Sequence, residues 1–116
     1  RNQELYAKYL DYKTNFEFLL AKAKGEYTKL YRDKWEYYGG KADPEVYKEK
    51  PLDLKILKQD VPIYLDGDKE LIESQHTVEY HKAMVDHAEK MCKMLNNRGF
   101  QIKNAIDWKR FMEGSI

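Results

Sequence analysis

The chain of 116 residues reads as an all-α protein: a long antiparallel helical hairpin, with short helices in the connection and a short C-terminal helix. Three observations carry that reading. Two proline-free stretches, Leu5–Tyr38 and Lys69–Asn96, hold apolar residues at alternating steps of three and four, the period of a helix with a packed seam. Glycines follow both stretches, at Gly39-Gly40 and at Gly99, where a helix is free to stop. The three prolines, Pro44, Pro51 and Pro62, all fall in the segment that joins the two stretches.

The first helix places Leu5, Tyr9, Tyr12, Phe16, Leu19, Ala23, Tyr27 and Leu30 on one seam. A second row, Tyr6, Leu10, Leu20, Tyr27, Tyr31 and Tyr38, flanks it. The apolar face is therefore wider than a two-stranded seam needs, which predicts burial against more than one neighbour. At 1.5 Å per residue such a helix is roughly 50 Å long. Asp43-Pro44-Glu45 then reads as an N-cap with Pro at the first helical position, opening a short helix to about Lys50.

Between Pro51 and Pro62, the alternation of Leu52, Leu54 and Ile56 suits a strand, while Leu52, Ile56 and Leu57 suit a short helix. A lone strand has no partner in this chain, so we assign a helix. Tyr64 to Asp68 reads as a turn, with Asp66 or Asp68 capping the second long helix. In that helix Leu71, Val78, Val85 and Cys92 lie seven apart, with His81, Ala88 and Leu95 interleaved at the other seam position. Asn96-Asn97-Arg98-Gly99 is expected to end it. A last helix, Gln101 to Glu113, is expected to mediate assembly through Phe100, Ile102, Ala105, Ile106, Trp108 and Phe111, because its apolar residues cover two faces. The chain thus divides into a hairpin domain, 1–97, and an assembly helix, 98–116.

Composition narrows function. Lys and Arg number 21 against 20 Asp and Glu, so neither a histone-like cation nor an acidic tail is present. That balance hides a basic first segment, with nine bases and six acids in 1–42, and an acidic middle, with five bases and nine acids in 43–75. No apolar run approaches the roughly 20 residues that span a bilayer, so no membrane partner is expected. Arg1-Asn2-Gln3-Glu4 has no signal-peptide pattern and no initiating Met, and a missing N-terminal stretch is expected. Cys92 has no partner for an internal disulfide, which fits a reducing cytosol, and its seam position makes it a small core residue rather than a nucleophile. Glu73-x-x-His76 has a di-iron spacing, but the chain offers only one such pair where a bundle site needs two and further glutamates. No metal, cofactor or catalytic residue is expected.

The remaining chemistry lies at the end of the first helix. Lys22, Lys24, Lys29, Arg32, Lys34 and Lys41 interleave there with Tyr27, Tyr31, Trp35, Tyr37 and Tyr38. Cations attract phosphates and ring faces stack bases without reading sequence, the two ingredients of single-strand binding. A solvated basic face beside a core aromatic stripe accounts for the same composition equally well.

The run Tyr31-Arg32-Asp33-Lys34-Trp35-Glu36-Tyr37-Tyr38-Gly39-Gly40 resembles a motif of the UvsY family, recombination mediators of T-even-type bacteriophages. Arg98-Gly99-Phe100-Gln101-Ile102-Lys103, with Phe111 and Gly114, is similar to that family's C-terminal stretch, and Leu5-Tyr6-x-Lys8-x-Leu10 lines up without a gap. In the central motif the two bases are exchanged, giving Arg32 and Lys34, and Trp35 stands where the family has Leu. The resemblance implies a non-enzymatic homo-oligomeric ring, hexamer or heptamer, that binds single-stranded DNA. It implies loading of the phage RecA-like recombinase, UvsX, onto strands covered by the phage single-strand-binding protein, in the cytoplasm of an infected bacterium. It also implies that Arg32 and Lys34 contact phosphates and that the C-terminal helix assembles the ring. Lys22, Lys24, Lys29, Lys41, Tyr31 and Trp35 join that site by proximity. The competing reading is an oligomeric helical scaffold that binds protein partners and has no DNA role.

Overall fold

The computed structural model describes the backbone of residues 2–112 and the side chains of residues 3–97. Four α-helices follow one another: α1, Asn2–Tyr38; α2, Pro44–Glu49; α3, Val61–Asp66; and α4, Lys69–Met112. No strand occurs among the described residues. The long helices α1 and α4 pair as an antiparallel hairpin, with α2 and α3 in the connection. The chain forms two compact units, residues 19–81 and residues 1–18 with 82–116.

Within residues 19–81, the core is Val61, Leu65 and Leu71, packed by Tyr27, Leu30, Tyr38 and Ile56. These residues come from α1, the connection, α3 and α4, so α3 packs with both long helices over shared apolar surface. In the other unit Ala88, Cys92 and Leu95 are buried, and Tyr6, Tyr9 and Phe16 are half-buried. Leu71, Val78, Ala88, Cys92 and Leu95 are all buried, so the heptad register read for α4 is the observed one. Cys92 is a free, buried thiol.

On α1 the contact line runs between the two expected rows. Tyr9, Phe16, Ala23, Tyr27 and Leu30 face inward, but Leu5, Tyr12 and Leu19 are exposed and Tyr6, Lys13, Leu20 and Lys34 take the inner places. The last of these is a lysine, and it joins α1 to the start of α4.

The α1 stop is as expected. The Lys41 amide donates to the Glu36 carbonyl at 2.8 Å and the Gly40 amide to the Tyr37 carbonyl at 3.2 Å, with Gly40 at φ +75°. This is the paired-bond stop that a left-handed residue permits, and glycine enters that region without a side-chain clash. Pro44 opens α2 as its first-turn residue.

Three expectations are corrected. The segment 51–57 is not helical: Leu57 is extended, at φ −67° and ψ 144°, and only a 3-10 turn, Lys58–Asp60, precedes α3. Tyr64 to Asp66 belongs to α3 rather than to a turn, and Gly67 caps it. The backbone runs helically through Asn97 and Gly99, so the final helix is the continuation of α4 and not a separate element. A single helical Gly costs only about 1 kcal/mol, and no proline follows to enforce a stop. The side chains assigned to assembly, Phe100 to Phe111, lie outside the described residues. No helix among the described residues is long and apolar enough to cross a membrane.

Candidate nucleic-acid interface

A helix turns about 100° per residue, so the six cations of the basic stretch cannot share one face. Lys22 and Lys29 project to the side that also carries Glu26, Asp33 and Glu36 at spacings of three and four. Opposite charges so interleaved cancel beyond about 10 Å at ordinary ionic strength. Lys24, Thr28 and Arg32 follow one another at i, i+4 on the other flank, beside Tyr27, Tyr31 and Trp35 at the same spacing. Glu36 follows Arg32 at the same spacing, so the row ends on an acid, while Lys24 and Arg32 are its two cations.

The rings form a ladder. Tyr27 and Tyr31 have centroids 6.1 Å apart, and Tyr31 and Trp35 stack at 6.3 Å with 29° between their planes. Tyr31 and Trp35 are each 40% exposed, so part of each ring is open to solvent. Arg32 is exposed and makes no ion pair among the described residues. Lys41 lies just past the helix stop, also exposed. The structure therefore brings together Lys24, Arg32, Tyr31 and Trp35, and separates Lys22 and Lys29 from them.

Lys34 is different in kind. Its side chain is 14% exposed, and its ammonium lies 3.3 Å from Asp68 Oδ2 and 3.3 Å from Glu70 Oε1. Lys50 also reaches Glu70, at 2.8 Å. Asp68 is the buried acid of the unit. It accepts from the Tyr38 hydroxyl at 2.6 Å and, through Oδ1, from the Leu71 amide at 3.0 Å, which makes it the N-cap of α4. One carboxylate thus joins the end of α1 to the start of α4. Lys34 supplies a seam contact, although the resemblance implied a phosphate contact for it.

Two further tyrosines fix the connection beneath this clasp. The Tyr37 hydroxyl donates to the Lys50 carbonyl at 3.0 Å, and Tyr47 donates to the Tyr37 carbonyl at 2.7 Å while the two rings stack at 5.4 Å. Glu70, Lys50 and Tyr47 did not stand out in the sequence, whereas Asp68 was expected as a cap and Tyr38 as part of the aromatic stretch. The signal for Lys34 was present: Ala23, Tyr27, Leu30 and Lys34 continue the four-three-four spacing of the seam.

Burial works against the Asp68 carboxylate, yet the hydrogen bonds from Tyr38 and Leu71 and the charge of Lys34 hold it below its ordinary value. Burial, then the bond to Asp68, pushes the Tyr38 phenol up. A depressed acid stabilises the fold above the roughly 3.9 of an unfolded Asp and loses that contribution as pH falls. A raised phenol stabilises it below roughly 10 and loses that contribution as pH rises. Thermal stability followed by circular dichroism is expected to be flat between about pH 5 and pH 9 and to fall on both sides. Asp68→Asn should flatten the acid limb, and an unchanged acid limb would show that other carboxylates set it.

Fold and site together describe a helical-hairpin protein that carries a cationic, ring-stacked flank on one long helix. The chain belongs to the UvsY family: the family model described as recombination, repair and ssDNA binding protein UvsY matches residues 1–115. No curated protein and no solved structure matches the chain.

Proposed function

We propose that this chain binds single-stranded DNA along the Lys24, Tyr31, Arg32, Trp35 flank of α1, and does so as a homo-oligomeric ring without catalysing a reaction. The observation that carries the reading is the partly exposed Tyr31–Trp35 ring ladder beside the exposed cations Lys24 and Arg32. In a ring the flank repeats, and several weak contacts on one strand become stable binding through effective concentration. Such binding across subunits would hold a strand ready for the RecA-like recombinase, UvsX, and loosen the phage single-strand-binding protein from it. The setting would be the cytoplasm of the infected bacterial host. Lys41 adds general attraction, Lys22 and Lys29 are offset by the acids beside them, and Lys34 acts on the fold.

The experiment is fluorescence anisotropy of a labelled single strand across a salt series. Binding should exceed that of duplex and fall steeply with salt through counterion release. Absent or salt-insensitive binding by the oligomer favours the scaffold reading, in which the flank meets an acidic protein. Truncation after Asn97 tests the assembly role given to Phe100, Ile102, Ala105, Ile106, Trp108 and Phe111. Light scattering should then report monomers or small species, with weakened strand binding; full oligomeric mass would place assembly in the hairpin.

A further inference from the structure

We propose that the cleft between α1, α3 and the first turns of α4 accepts one unpaired nucleobase from a bound single strand, a role that rests on the proposed single-strand binding. The cleft holds about 280 Å³. That is just below the roughly 300–1,000 Å³ of ordinary ligand clefts, which suits a small flat group. Tyr31 forms part of its wall, buried Leu65 and Leu71 line its base, and Asp66, Gln75 and His76 supply polar atoms. An aromatic ring, an apolar base and a few hydrogen-bonding groups are what recognition of an unstacked base uses.

The surroundings of the cleft decide its occupant. Tyr31 belongs at once to the cleft wall and to the exposed ladder with Trp35. Lys24 and Arg32 share the ladder's flank, so a backbone that places phosphates on those cations runs past the opening. Gln75 Nε2 donates to Glu79 Oε1 at 2.9 Å, which orients the amide and leaves its carbonyl oxygen as an acceptor. Asp66 adds acceptors and His76 a ring nitrogen. In a duplex every base is paired and stacked, and entry would require a broken pair. The cleft therefore gives a second source of preference for single strands, independent of charge.

Ile72 lines the cleft and is 40% exposed, so Ile72→Trp fills the space without altering charge. The test uses two labelled probes of equal length and phosphate number, a thymidine oligomer and its abasic counterpart, measured by anisotropy on the intact oligomer. The unsubstituted protein should bind the base-bearing strand more tightly. Ile72→Trp should lose several-fold affinity for it and keep its affinity for the abasic strand. Gln75→Ala, which opens the rim instead, should show a smaller loss of the same kind and decides the matter if Ile72→Trp does not fold. Unchanged binding of the base-bearing strand by folded variants overturns the cleft while leaving strand binding intact. A loss of oligomeric mass in folded Ile72→Trp without DNA also overturns it, because the cleft would then hold a second copy of the chain. Failure of the unsubstituted protein to bind either strand removes the reading beneath it.

Discussion

Asp68→Ala is expected to destabilise the protein by about 3 kcal/mol, the low end of the loss on breaking a buried ion pair. The substitution strips the α4 N-cap, leaves the Tyr38 hydroxyl without its 2.6 Å acceptor, and removes one of two carboxylates beside Lys34. Glu70 stays 3.3 Å from the ammonium, which keeps the loss from reaching the upper end. Lys34→Ala should cost less, about 2 kcal/mol, because Asp68 retains two hydrogen bonds from neutral donors. At roughly 4–8 °C per kcal/mol, Asp68→Ala should lower the melting temperature by more than 10 °C. Arg32→Ala, at an exposed position outside the seam, should stay within about 0.5 kcal/mol. Urea denaturation of the three variants measures all of this. If Lys34→Ala unfolds no earlier than Arg32→Ala, the clasp contributes nothing and Lys34 is available for phosphate.

The same contrast bears on strand binding. A combined Arg32 and Lys34 substitution mixes two mechanisms, loss of a phosphate contact at Arg32 and loss of the α1–α4 clasp at Lys34. Only the single substitutions separate them. Lys34→Arg should restore most of the stability, since a guanidinium also bridges two carboxylates.

The helices were legible because their signal is local and repeated. Leu71, Val78, Ala88, Cys92 and Leu95 are all buried, as seven-residue spacing requires. The α1 stop followed from Gly39-Gly40 alone. The segment 51–57 was not legible, since its entry is held by the Tyr37 hydroxyl donating to the Lys50 and Pro51 carbonyls, contacts 13 and 14 residues apart in sequence. Gly99 misled because one glycine is a weak punctuation mark without a proline behind it.

Within the site, Tyr31 and Trp35 were legible as a ring pair, because i, i+4 spacing fixes the geometry on a helix. The sorting of cations was legible in principle from the same arithmetic: Lys24 and Arg32 on one side, Lys22 and Lys29 on the other. What composition hides is that a lysine in a basic run can serve the core. Lys34 sits inward because Asp68 and Glu70 wait across the seam, and their approach comes from the fold of the connection, not from neighbouring residues.

Trp35→Ala is expected to weaken single-strand binding by roughly fivefold to a hundredfold, since stacking of a base on an aromatic ring contributes roughly 1–3 kcal/mol. Trp35 lies outside the buried cluster, so the melting temperature should hardly move. The substitution removes no charge, and the slope of log affinity against log salt should stay the same. Arg32→Ala should give the opposite signature. Each phosphate contact on a single strand contributes about 0.7 to that slope, so the slope should shrink by about that amount for each protomer engaged. The affinity loss should be largest at low salt and fade as salt rises. Ring stacking and phosphate attraction thus leave separate marks on one set of titrations. A Trp35→Ala protein with a reduced slope would mean that the ring supports the cations rather than stacking bases. A Trp35→Ala protein that binds at full strength would remove the ladder from the interface altogether.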